Sequence, residues 1–384
     1  MDRCRCCGKE LPEKNLLLYR NMPKSAQFFP TEEELENEKG LDIVLKQCPY
    51  CGLVQAIGEP VPYFRDVIRA SGFSDEMMEF RRKQYSEWMA ENNLESKKVI
   101  EIGCGKGEYM TAMETAGCIA FGLEHSDENI LEAKKAGHNV IKGFIENEDY
   151  RIKGAPYDGF YIMNFLEHIP EPGGFIRGIA NNLRDGAVGI VEVPNFDMIL
   201  EESLYSEFIQ DHVSYFTKDT LENILRLNGF EVLTCESIWY GYILSAKVRK
   251  RSDIDVLALI SKENEMNDKI SGLLKSWRAE GKKVAAWGAG HQALANFSLL
   301  GMSEYLECVI DSAPFKQGKY TPATHLPVVS SDVLKKGEID VVIVMAGGYS
   351  DEIMRIIERE YPGVEAITIA KVAEGFKNVE RKPL

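Results

Sequence analysis

An apolar segment that runs straight into three alternating glycines, Val99-Ile-Glu-Ile-Gly-Cys-Gly-Lys-Gly-Glu-Tyr109, constrains this chain more than any other stretch. Val99, Ile100 and Ile102 predict a short strand buried on both faces. The glycines at 103, 105 and 107 supply a turn without Cβ atoms, and Tyr109-Met-Thr-Ala-Met-Glu-Thr-Ala116 continues at helical spacing. Strand, glycine turn and helix together let a ligand lie against bare backbone N–H groups at a helix N-terminus. That geometry commits the region to an α/β fold with a ligand crevice at a strand end.

Two acids narrow the ligand. Glu101 sits inside the first strand, and a second strand, Ile119-Ala-Phe-Gly-Leu123, ends in Glu124, where a carboxylate can accept both ribose hydroxyls. The E-x-G-x-G-x-G run with that second acid resembles class I S-adenosylmethionine-dependent methyltransferases. The resemblance implies a cofactor site built from Glu101, Gly103, Gly105, Gly107 and Glu124. Phe144 falls where such folds pass the adenine, and Asn164 falls at the end of the fourth strand. The competing reading is a nucleotide fold that takes no methyl donor.

The 384 residues suffice for two or three cores, with 45% hydrophobic and 27% charged residues, ordinary values for a globular chain. A net charge of −15 argues against nucleic acid or an anionic membrane as partner, since both call for a basic face. An anionic small substrate needs only a few local cations and stays open. With no apolar run of membrane-spanning length and no secretory pattern after Met1, the expected location is cytoplasmic. Nine cysteines in such a chain point to metal ligands and buried thiols rather than disulfides.

Cys4-Arg-Cys-Cys7-Gly and Cys48-Pro-Tyr-Cys51-Gly are two C-x2-C pairs, each followed by glycine. This is the pattern of paired knuckles on one tetrahedral Zn2+, with Cys4, Cys7, Cys48 and Cys51 as ligands and Cys6 as a spare. A closed four-cysteine cage has no open position for water, so the metal would be structural. Iron in the same cage and four reduced structural thiols are the alternatives.

A helix with Ser74 as N-cap and an apolar stripe of Met77, Phe80, Tyr85, Trp88 and Met89 leads into the central domain. From about residue 97 strands and helices alternate: a helix from Asp127, a strand Asn139–Lys142, a strand Tyr157–Met163 and a strand Gly186–Val193. Trp239–Lys247 reads as a late strand. The order predicts a doubly wound, mostly parallel sheet with its ligands beyond the strand carboxyl ends. Glu124, His168 and Asn195 all lie at such ends, so one crevice should hold them. Asp211 and His212 precede a helix capped by Thr217. After an amphipathic helix within residues 253–281, the same logic restarts at Val284-Ala-Ala-Trp-Gly-Ala-Gly290, with Asp311 ending the next strand, and predicts a second Rossmann-like half. The expected domains are 1–75, 76–250 and 251–384.

Read end to end, these motifs occur in the order of a known family. The cysteine pairs, the glycine turn, His168-Ile-Pro170, Asp211-His-Val-Ser-Tyr-Phe216 and Asp311-Ser-Ala-Pro-Phe-Lys-Gln-Gly-Lys-Tyr-Thr-Pro322 are similar to those of the three-domain sugar C-methyltransferases of the NDP-hexose 3-C-methyltransferase type. The resemblance implies methylation of a nucleotide-linked 4-keto-hexose at the carbon beside the ketone, with a zinc-binding N-terminal domain and a substrate-binding C-terminal domain. It assigns the base to His212, its acidic neighbour to Asp211 and polarisation of the ketone to His168. Asn195, Tyr215, Lys316, Gly318 and Lys319 become substrate-binding candidates. The chain departs from the family at Ile209 and in Asp66-Val-Ile-Arg-Ala-Ser71, both places where tyrosine is usual, and at His291.

Carbon beside a ketone becomes nucleophilic only on loss of a proton, so a histidine base suits that chemistry. O- or N-methylation of a related metabolite is the enzymatic alternative, and a non-catalytic protein on the same fold is the other. A nucleotide sugar or similar anion is the expected partner, to a monomer or homodimer.

Overall fold

The computed structural model describes residues 2–25, 27, 29–65 and 74–374. They form two compact units, Met1–Asp253 and Ile254–Leu384. Residues 66–71 lie outside the described residues.

The first unit opens with three antiparallel strands, β1 (Leu17–Met22), β2 (Leu41–Gln47) and β3 (Val54–Ile57). Ile43 and Leu45 alternate inward on β2 and pack with Val54, Ala56, Phe196, Phe208 and Tyr215. Helix α1 (Asp75–Asn92) starts where expected, with the Ser74 hydroxyl accepting the N–H of Met77 at 3.1 Å. It buries Met77, Tyr85, Trp88 and Met89, and also Arg81.

Next come β4 (Lys98–Ile102), β5 (Ile119–Glu124), β6 (Val140–Lys142), β7 (Tyr157–Met163) and β8 (Leu183–Pro194), all parallel where they pair. Helices α2 (Glu108–Thr115), α3 (Asp127–Lys135) and α4 (Pro172–Ala180) intervene. The short β9 (Ser214–Tyr215) leaves this sheet and pairs with β3. After it, β10 (Phe230–Ile238) and β11 (Ile243–Lys250) close the edge antiparallel. The sheet order is β6-β5-β4-β7-β8-β11-β10. The chain winds outward from β4 in both directions, so the crevice opens at the carboxyl end of β4.

Of the expected strand over 239–247, residues 243–247 lie in β11 and residues 239–242 form the hairpin turn before it. Trp239 and Tyr240 both take positive φ (47° and 56°) and turn the chain between β10 and β11. β10 escaped notice because it is a half-exposed edge with weak alternation.

In the second unit β12 (Val284–Trp287), β13 (Leu306–Ile310), β14 (Val328–Val329), β15 (Val341–Val344) and β16 (Glu365–Thr368) form a parallel sheet in the order β14-β13-β12-β15-β16. This is the half-Rossmann winding that the repeated strand-glycine pattern predicts. Among the described residues no helix is long and apolar enough to cross a membrane.

Candidate active site

Gly103, Gly105 and Gly107 have φ of 76°, 57° and 87°, so the turn after β4 lies wholly in left-handed backbone. At Gly107 a Cβ would strike the His138 ring, which holds the start of α2 close. Glu124, at the end of β5, folds its carboxylate back onto this turn. Oε2 accepts the Gly105 N–H at 2.8 Å, and Oε1 accepts those of Ser126 and His125 at 2.8 and 3.0 Å. Burial pushes its pKa up against the pull of the three donors. Oε2 retains a second lone pair for a ribose hydroxyl.

The turn, Glu124, Asn164, His168, Asp211 and His212 share one cleft of about 570 Å³. Asn164 sits at the end of β7 with φ 50°, a left-handed non-glycine residue held by its N–H to Glu192 O at 3.0 Å. Phe144 lines an adjoining recess with Phe165 and Phe175, and the Arg65 guanidinium lies 5.3 Å above its ring. Glu101 is fully buried inside β4 and is not among the residues lining the cleft.

At the other end of the cleft stand two histidines. His168 follows β7 on a short 3-10 turn, and its Nδ1 donates to the backbone carbonyl of Asp211 at 2.8 Å. Its Nε2 lies 3.7 Å from Glu167 Oε1. Burial pushes the pKa of His168 down to about 4, against the pull of the Asp211 carbonyl. Burial, together with the neighbouring His168 ring, pushes His212 down to about 3. Both rings are therefore neutral at pH 7. A neutral ring that donates from Nδ1 has only a lone pair at Nε2, so His168 can accept a proton there but cannot donate one. That geometry speaks against His168 as polariser of a ketone.

The Asp211 carboxylate accepts the Tyr63 hydroxyl at 2.9 Å. Tyr63 thus brings a phenol to the histidine end of the cleft, just upstream of the stretch whose missing tyrosine the sequence flagged. Tyr215 backs this end from beneath: it is buried, its hydroxyl bonds to the backbone of Ile209, and its ring centroid is 6.2 Å from that of His212. Asn195 caps the short α5 (Phe196–Glu201) through its side-chain oxygen and donates to Gly241 O at 2.7 Å and to Ser237 Oγ. Those bonds use its side chain for structure, contrary to the expectation of a substrate contact.

Arg81 was missed in the sequence. Its guanidinium lines the cleft, 1% exposed, and pairs at 2.6 Å with Glu192 on β8, which Gln84 and Ser245 also bond. An arginine on the apolar stripe of α1, opposite a glutamate inside an apolar strand, was the available signal.

Away from the cleft, Cys4 and Cys51 Sγ are 3.4 Å apart and Cys7 and Cys48 Sγ 3.6 Å, with all four sulfurs within 4.8 Å of one another. A tetrahedron with Zn–S bonds of about 2.3 Å has edges of about 3.8 Å, which this cluster approximates. Gly8 and Gly52 close the two knuckles at φ 70° and 82°. In the second unit, the Lys316 ammonium is paired with Asp311 at 2.9 Å and also bonds Ala289 O. Gly318 donates its N–H to Val328 O, and Lys319 is exposed.

Residues 77–235 match a family model described as a methyltransferase domain, and residues 256–366 match one described as a C-methyltransferase C-terminal domain. The chain is an S-adenosylmethionine-dependent methyltransferase. This methyltransferase is similar to the C-methyltransferase NovU of Streptomyces niveus, 20% identical over 92% of this chain and 91% of that one. It is also similar to a ubiquinone biosynthesis O-methyltransferase of Erwinia tasmaniensis, 31% identical over 26% of this chain and 44% of that one. Among solved structures, a S-adenosylmethionine-dependent methyltransferase from Clostridium acetobutylicum is 13% identical and aligns over 50% of this chain and 96% of that one with a TM-score of 0.39. The residues of the cleft fit the cofactor: a bare turn, an acid at the end of β5 and an aromatic recess beyond it.

Proposed function

We propose that this methyltransferase alkylates a carbon beside the ketone of a nucleotide-activated keto-deoxysugar. The cofactor, when bound, supplies the electrophilic methyl group. The turn 103–107, Glu124 and Asn164 hold it, Phe144 meets the adenine, and the buried cation of Arg81 suits the methionyl carboxylate. His212 would take the substrate proton, and the residues of the cleft would orient the resulting carbon nucleophile, where orientation supplies much of the acceleration.

The observation that carries this reading is the pair of neutral histidines, His168 buried and His212 half-buried, at one end of the cofactor cleft, joined through the Asp211 backbone. Removing a proton from carbon calls for a well-placed neutral base, and both imidazoles stand where one is needed. Neither ring nitrogen of His212 has a hydrogen-bond partner among the described residues, so this ring is free to adopt either tautomer.

The fixed tautomer of His168 favours a second division of labour, in which His168 Nε2 is the base and His212 the donor to oxygen. Glu167 would then stabilise the imidazolium that forms. The C-methyltransferase C-terminal domain and the likeness to the C-methyltransferase NovU support carbon as the acceptor, and the sugar as substrate class rests on the family resemblance of the motifs. Lys316, Gly318 and Lys319 are assigned to the substrate by family resemblance, and of the two lysines Lys319 is the one without an ion pair among the described residues. The cysteine cage is assigned a structural Zn2+. Screening NDP-4-keto-hexoses for a mass gain of one methylene tests the substrate class; gain on a phenol or amine and on no keto-sugar would overturn it.

A further inference from the structure

We propose that the cysteine lobe positions the histidine pair, and that Arg5, between the first two cysteines, is the positioning residue through which it acts. The proposal rests on the reading above that His168 and His212 move the substrate proton.

Arg5 reaches 165 residues along the chain. Its Nη1 donates to Pro170 O at 2.8 Å, two residues beyond His168, and its Nη2 donates to Gly58 O at 3.2 Å. Its backbone N–H is held by Gln55 Oε1 at 2.8 Å, and Gln55, 2% exposed, returns a bond to Arg3 O. One guanidinium therefore ties the first knuckle, the end of β3 and the His168 loop together.

The same lobe grips His212 from the other side. β3 leaves the second knuckle and pairs Val54 with Tyr215 and Gln55 with Ser214. The Ala56 N–H then bonds Val213 O at 3.1 Å, while the Val213 N–H bonds Glu167 O at 2.9 Å. The residue after His212 is thus strung between the cysteine-lobe strand and the residue before His168. With the His168 ring bonded to Asp211 O, both imidazoles hang from one backbone lattice whose anchor is the lobe. The packing agrees: Cys4, Cys48 and Leu53 share a core cluster with Leu166, Ile169 and Phe216. A lobe serving only stability would need that apolar packing, not an arginine forked onto two loop carbonyls.

The test uses full-length, metal-loaded protein with 15N-labelled histidine, saturated with S-adenosylhomocysteine, comparing wild type, Arg5→Ala, Arg5→Lys and Lys46→Ala. Lys46 belongs to the same lobe but pairs with Asp2, and serves as control. Long-range 1H–15N spectra resolve the tautomers of the six histidines, with His168 and His212 assigned by substitution. Wild type and Lys46→Ala should show a single tautomer for His168, protonated at Nδ1. Arg5→Ala should shift both rings and average the His168 tautomers, with zinc content unchanged and S-adenosylhomocysteine affinity within about twofold, the scatter expected of distant sites. Arg5→Lys, with one point charge in place of a fork, should fall between and covers the case in which the alanine variant does not fold. Unperturbed His168 and His212 signals in a folded Arg5 variant would overturn the proposal, as would a shift accompanied by equal loss of cofactor affinity. The spectra need no sugar, so this outcome is independent of whether His212 proves to be the base.

Discussion

His168 and His212 meet edge to face with ring centroids 4.8 Å apart, although 43 residues separate the loop of the first from the carbonyl that fixes it. Two imidazoles this close cannot both be charged cheaply, and the His168 ring adds to burial in holding the proton affinity of His212 down.

A pH dependence of stability follows. Both folded values, about 4 and about 3, lie below the ordinary 6.5, so between these limits the unfolded chain binds more protons. The stability that the pair contributes is complete above pH 6.5 and is lost as pH falls toward 4 and then 3. Urea midpoints measured from pH 7 to 4 should therefore fall more steeply for wild type than for a His168→Gln, His212→Gln double variant. Parallel curves would remove the pair from the account.

The metal prediction concerns the cysteine cage. Gently purified protein should carry one zinc per chain, and a strong chelator should lower the melting temperature, because metal-binding free energy is also folding free energy. Elemental analysis without stoichiometric zinc or iron would return Cys4, Cys7, Cys48 and Cys51 to ordinary thiols.

For the cofactor, Glu124→Ala should weaken S-adenosylmethionine binding by roughly 1.5–3 kcal/mol if the ribose contacts are charge-assisted. It should also loosen the glycine turn, since three backbone N–H groups lose their acceptor. Calorimetry showing unchanged affinity would place Glu124 outside the cofactor's reach.

Arg81 and Glu192 form an ion pair with side chains 1% and 0% exposed. Arg81→Met should leave Glu192 as an uncompensated buried charge and destabilise folding by about 3–5 kcal/mol. Arg81→Met, Glu192→Leu together should recover much of that loss in chemical denaturation. A single variant as stable as wild type would mean that solvent reaches the pair.

The sequence made the sheet legible because buried parallel strands are continuous apolar runs and glycine turns have no common substitute. Gly103, Gly105, Glu124 and His168 were placed in one crevice on those grounds, and they line one cleft; Asp211 and His212, which line it too, were assigned only through the family resemblance. Asn195 misled because a polar residue at a strand end is equally a helix cap, and its four side-chain bonds decide for the cap. Arg81, Tyr63 and Arg5 stayed hidden because their partners, Glu192, Asp211 and Pro170, are more than a hundred residues away, beyond any local pattern. β9 is only two residues long, too short for any periodicity, yet it ties the cysteine lobe to the histidines.

Solvent exchange at the substrate carbon tests the central claim most directly. With an accepted NDP-4-keto-hexose and S-adenosylhomocysteine in deuterated buffer, wild type should exchange the proton beside the ketone without methylating. His212→Ala should slow exchange by about 10²–10⁴-fold, the range of a general base, with S-adenosylhomocysteine affinity nearly intact. His168→Ala should slow it less. A larger loss in His168→Ala than in His212→Ala would exchange their roles. Exchange at the wild-type rate in both variants would contradict a histidine base altogether.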